Sequence, residues 1–170
     1  MAVTSGTLID GARMYAAAAD AVNERHPNAL HVPSHLLGMA IELALKAFLL
    51  NGGQRERELR KIGHDLPALL AEAEARGLTS TGSRHFRISV LGANYEDRLF
   101  AYPSEGVLNI ILPGKLREIA HEVICEVFIS VKGKDLFEQL QAEPGLSIQS
   151  VYPDDLDARA WALRPKNFGT

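Results

Sequence analysis

A single cysteine, Cys125, leaves this chain without an internal disulfide, so a fold stapled by disulfides is excluded and a reducing, cytoplasmic setting is expected. A surplus of basic charge is missing too: 18 Lys and Arg stand against 21 Asp and Glu, a formal net charge of −3. Proteins that grip duplex nucleic acid are ordinarily basic overall, so sequence-specific DNA binding is not expected, although a local basic patch fits within that balance. The first residues, Met1 to Ser5, lack the basic start of a signal peptide. The longest apolar stretch, Leu36 to Leu50, is interrupted by Glu42 and Lys46, which argues against a membrane span. Internal repeats and low-complexity segments are also lacking.

What is present is ordinary globular composition. A chain of 170 residues makes one domain, able to bury roughly 70% of the surface its unfolded form exposes. A hydrophobic fraction of 46% against 23% charged residues supports a packed core rather than disorder. Leu8, Ala12, Tyr15, Ala19 and Val22 recur at helical spacing and predict a first helix over residues 5–24, ended by Pro27 and Asn28. Ser34 is the expected N-cap of a second helix. Its residues 36–50 are apolar almost all round, so it should be the buried centre of the fold, stopped by Asn51-Gly52-Gly53.

The charged run Arg55, Glu56, Arg57, Glu58, Arg60 and Lys61 reads as a solvated loop or a short exposed helix. Asp65 then caps a third helix with Pro67 in its first turn and Leu66, Leu69, Leu70 and Ala73 on its apolar face, ended by Gly77. A fourth helix is predicted from about 85 to 98, weakened by Gly92, and a fifth from 113 or 114 to 131. A short sixth helix is expected at 137–141, and a strand or hairpin at 107–112. The fold class is therefore all-α: an up-and-down bundle of about five helices over residues 1–142, with an irregular tail over 143–170 packing on it.

The order of three segments resembles a known family. Ala40-Ile41-Glu42-Leu43-Ala44-Leu45-Lys46-Ala47-Phe48-Leu49-Leu50 is followed by Gly63-His64-Asp65-Leu66 with Leu69-Leu70, then by Tyr95-Glu96-Asp97-Arg98 and Ala101-Tyr102-Pro103. Across residues 34–131 this is similar to the HEPN family, named for higher eukaryotes and prokaryotes nucleotide-binding. The resemblance implies a bacterial-style helical bundle acting as a homodimer in defence, toxin–antitoxin or nucleotidyltransferase-partner systems. Its ligand would be a nucleotide, RNA or partner protein. Ribonuclease members of the family share an Arg, four to six residues and a His near the fourth helix. Here Arg98 has no His within the next seven residues. Arg57 and His64 match the spacing, but in the connector before the third helix. A non-catalytic binding or interaction module is thus the first expectation. A divergent, metal-independent ribonuclease using Arg57, His64 or Arg98 is the alternative.

Two stripes supply the candidate ligand contacts. His35, Glu42 and Lys46 lie along one side of the core helix, with Gly38 leaving a notch there. Glu42 and Lys46 suit an ion pair, either self-satisfied or forming the polar wall of a cleft. On the fourth helix Arg87, Asn94 and Arg98 share a stripe, with Tyr95 beside it, and arginine forks suit phosphate. His64 beside the capping Asp65 is expected to bond within its own turn. Glu118, His121, Glu122 and Cys125 give only one Glu-x-x-His pair where a di-iron bundle needs two. Pro33 between His31 and His35 is expected to interrupt the helix. No metal and no other cofactor is expected. The surplus of apolar helical surface, including Ile124 and Phe128, adds to the expectation of a dimer.

Overall fold

Apolar residues at almost every position from Leu36 to Leu50 can be satisfied in a helix only by burial on most sides, and the chain is built around that requirement. The computed structural model describes residues 3–96 and 113–142. Among these the protein is all-α, with seven helices: α1 (Ser5–Arg25), α2 (His31–Asn51), α3 (Glu56–Ile62), α4 (Leu66–Ala75), α5 (Gly82–Glu96), α6 (Pro113–Lys132) and α7 (Lys134–Ala142). The predicted strand at 107–112, the tail from 143 and Arg98 lie outside the described residues.

α2 buries Leu37, Ala40, Ile41, Ala44, Leu45, Ala47 and Leu49. α1 and α6 pack along it, and α4 and α5 close the remaining side. The α1 contact is made by Ala12, Ala16 and Ala19 with Ile9, all buried, so small side chains on both helices let the backbones come close. α6 contributes Leu116, Ile119, Ala120, Val123, Ile124, Val127 and Phe128. Ile124 and Phe128 are thus covered within the one chain and are not surplus surface. By length and composition α2 is also apolar enough to cross a membrane, but most of that window is buried inside the bundle, as a core helix requires.

Three helix starts differ from the sequence expectation, those of α2, α5 and α7, the last at Lys134 and not at 137. α2 starts at His31, not after Ser34, and Pro33 sits inside its first turn. The proline is harmless there because the first N–H groups of a helix have no partner within it. Ser34 is not a cap; its hydroxyl donates to the Leu30 carbonyl at 2.8 Å. The charged run folds as α3, and α5 begins three residues earlier than the apolar spacing implied. Asp65 caps α4 as expected, accepting the Ala68 N–H at 2.9 Å.

Gly92 has a packing cause. A Cβ there would stand 2.5 Å from Cδ of Pro67, so α5 crosses the start of α4 at a distance only glycine permits. Alanine would gain about 1 kcal/mol of helix propensity but meet a rigid ring, an overpacking cost of about 1–3 kcal/mol. Gly92→Ala is expected to lower stability in urea unfolding despite its better propensity. Leu45→Ala, which empties the centre of α2, is expected to cost about 2–5 kcal/mol in the same measurement.

Candidate binding site around Glu42

A carboxylate on an apolar core helix must find donors, because a buried charge without them is costly. Glu42 is only 4% exposed and collects three side-chain donors. Lys46, one turn along α2, reaches Oε1 at 2.5 Å. The Tyr95 hydroxyl of α5 donates to Oε2 at 2.7 Å. Nδ1 of His64, in the turn before α4, stands 2.9 Å from the same oxygen. The Tyr95 oxygen also lies 2.9 Å from the Met39 sulfur.

Local backbone features bring these groups together. Gly63 has φ of +68°, a left-handed turn that ends α3 and sets His64 just ahead of the Asp65 cap. Tyr95 reaches Glu42 by laying its ring on α2 at Gly38. A Cβ at residue 38 would be 2.6 Å from the ring, so the notch in the core helix is filled by Tyr95. The His35 ring stacks tilted against Tyr95 at 5.8 Å, and the His64 ring meets it edge-on at 6.3 Å. Nδ1 of His35 is buried without a hydrogen-bond partner. The imidazole of His64 is 56% exposed while the carboxylate it contacts is not, so the cluster presents a polar group to the surface.

Electrostatics follow the geometry. Burial raises the Glu42 carboxyl, but the hydrogen bonds from His64, Lys46 and Tyr95 outweigh it and hold the group below its ordinary 4.5. Burial, the nearby Glu42 charge and the bond to Glu42 keep Tyr95 a neutral phenol. Burial lowers His35 from 6.5 against the opposing pull of Glu42. The result is a buried ion pair with a phenol and an imidazole locked onto one carboxylate oxygen.

The chain matches no family model, no curated protein and no solved structure.

Of the residues singled out in the sequence, His35, Glu42, Lys46 and Tyr95 come together. Arg87 stands apart, 3.5 Å from Glu118 of α6. Asn94 is buried, with its amide 3.4 Å from the Val90 carbonyl. Arg57 is exposed on α3. His64 does not bond within its own turn, because the Glu42 oxygen offers a charged acceptor instead. Its link to Glu42 is the part that sequence reasoning missed. The one signal was the demand itself: a carboxylate in the most buried helix needs more than one donor, but His64 and Tyr95 lie 22 and 53 positions along the chain, and spacing does not pick them out. Arg84 was also overlooked. It is buried, and it ties α5 to α6 through Glu126 at 3.1 Å and to the Thr79 carbonyl at 2.6 Å.

On α6, Glu118 pairs with Lys115 at 2.8 Å, while Nε2 of His121 lies 3.5 Å from the Cys125 sulfur. Burial pushes the thiol up to about 11. Among the described residues no group of three or more His, Cys, Asp or Glu is placed to hold a metal ion.

Acid should weaken the fold in a defined order. His35 is lowered below 6.5, as is His121, chiefly by burial. For these groups the unfolded chain takes up protons first, so their stabilisation is complete above pH 6.5 and lost as pH falls through the lower folded values. Glu42 and Glu126 act with the same sign below 4.5. Urea unfolding across pH is expected to show stability falling in both windows. Glu42→Gln should make the lower step shallower and, by removing the charge that holds His35 up, deepen the upper one. An unchanged acid limb in that variant would contradict the assignment. Glu42→Ala, which strands Lys46, is expected to cost about 3–5 kcal/mol at neutral pH.

Proposed function

We propose that the chain is a HEPN-like binding module whose ligand, a nucleotide or an RNA segment, is received where His64 brings the Glu42 cluster to the surface. The observation that supports this most is the pairing of a buried, multiply bonded carboxylate with a half-exposed imidazole. The solvent-open ring gives a ligand a polar edge to reach, and Glu42 behind it fixes how that ring is turned. The unpartnered Nδ1 of His35 beside Tyr95 adds a second polar atom to the same corner. The order of motifs in the sequence supports the family reading. A role in a bacterial defence, toxin–antitoxin or nucleotidyltransferase-partner system belongs to the proposal on the same ground.

The test is a titration of the full chain with a nucleoside monophosphate and with a short single-stranded RNA, followed by NMR of the imidazole C–H signals. The His64 and His35 signals are expected to shift saturably, and His64→Ala to weaken binding. Ring signals that stay fixed with both ligands would reject the site.

A second reading has one observation in its favour. A carboxylate holding Nδ1 of a histidine whose ring is open to solvent is how a general base is oriented. This suits the ribonuclease alternative, with Arg57 or Arg98 as the accompanying cation. The binding reading expects no RNA cleavage that depends on these residues. Cleavage by the purified protein that disappears in both Arg57→Ala and His64→Ala would promote the ribonuclease.

Pairing of two copies through helical faces is part of the proposal, resting on the resemblance and on exposed apolar side chains such as Phe86 (69% exposed) on α5. Light scattering at micromolar concentration is expected to give twice the chain mass. A mass of one chain would remove the dimer.

A further inference from the structure

The charged run before the third predicted helix has no part in the Glu42 cluster, yet it is folded and three of its four cations are left open. α3 buries only Leu59. Between residues 54 and 64 it brings four cations, Arg55, Arg57, Arg60 and Lys61, against two carboxylates, in a chain that is acidic overall. One of the two carboxylates is charge-paired within the helix, and the other caps its start. Glu56 binds Arg60 at 2.5 Å, and Glu58 accepts the Arg55 backbone N–H at 3.1 Å. Arg55, Arg57 and Lys61 are exposed and have no ion-pair partner among the described residues.

Their placement gives the charge a direction. Arg57 and Lys61 are one turn apart on the same face of α3. Three residues beyond Lys61, across the left-handed turn at Gly63, comes His64, the exposed member of the cluster. A helix of seven residues has little stability of its own. If it served solubility alone, either sign of charge would do. Here one ion pair, Glu56 with Arg60, is closed within the helix, and three exposed cations stand against the single remaining carboxylate of Glu58, leaving net positive charge on the segment that leads into His64. Guanidinium and ammonium groups without protein partners suit phosphate oxygens, which accept from them without first breaking an ion pair.

We propose that α3 and the turn at His64 form a docking strip for the phosphate backbone of a single-stranded nucleic acid, with Arg55, Arg57 and Lys61 as its contacts. This rests on the reading of the Glu42 cluster as the binding site, to which the strip would deliver the strand. Backbone contacts position a strand without reading its sequence.

The experiment measures anisotropy of a labelled single-stranded RNA, and of DNA of the same sequence, over a series of salt concentrations. The full chain is compared with Arg57→Gln/Lys61→Gln and, separately, with His64→Ala; circular dichroism checks that each is folded. The double variant is expected to bind several-fold more weakly at low salt. Its log–log salt slope should be shallower by about 0.7 for each cation lost. Equal effects on RNA and DNA would assign the strip to the phosphates alone, and a larger effect on RNA would add a ribose contact to it. The strip is overturned by unchanged affinity and slope in the double variant, by absence of binding to the intact chain, or by polyglutamate competing as well as RNA. Binding lost in the double variant but intact in His64→Ala keeps the strip and removes the cluster as its destination. The reverse pattern removes the strip and keeps the cluster.

Discussion

Burying the carboxylate of Glu42 in the centre of the bundle constrains much of the rest of the structure. A core helix could have been wholly apolar. With a charge inside it, the fold must supply a cation at the right turn of α2, a phenol from α5 and an imidazole from the turn before α4. Each supplier has its own requirement. Lys46 must follow Glu42 by one turn, residue 38 must lack a side chain so that Tyr95 can lie down, and residue 63 must adopt a left-handed backbone. Such a pair is weak evidence for added stability, because an apolar substitute of similar volume is often as good. What the cluster does is fix how α2, α5 and the turn before α4 meet.

The general architecture was legible because the signals were redundant. For α2, the apolar run, the stop at Asn51-Gly52-Gly53 and the length all agree. For α4, Asp65, Pro67 and the leucine spacing all mark one start. The start of α2 is not legible from Pro33, because a proline in the first turn removes an N–H that has no partner anyway and so need not break the helix. Gly92 was read as a weakness of the fourth helix. Its purpose is visible only from Pro67, which lies 25 positions earlier in the chain.

The site was half legible for a similar reason. Residues on one helix advertise their shared face through spacing, so His35, Glu42 and Lys46 could be grouped, and Gly38 recognised as a gap. What fills the gap, and what else bonds the carboxylate, depends on the angles at which α4 and α5 arrive. Those angles are set by close contacts such as Gly92 on Pro67, which leave no periodic trace. Arg87 and Tyr95 sit on one helix and were considered together, yet one faces Glu118 of α6 and the other Glu42 of α2.

The separation along the chain of the groups around Glu42 bears on how the bundle assembles. Lys46 is four residues away, whereas His64 is 22 and Tyr95 is 53. Helices α1 and α2 are adjacent and meet through short-range contacts of the kind that form early. At that stage Lys46 can already offset the carboxylate, and water can supply the remaining hydrogen bonds. Only when α5 docks and the Tyr95 ring settles on Gly38 is that water displaced by the phenol. Enclosing the charge is therefore a dehydration, and by separation along the chain it follows the pairing with Lys46. A chain halted before it would hold a wet, native-like α1–α2 hairpin whose charge is balanced but not yet enclosed.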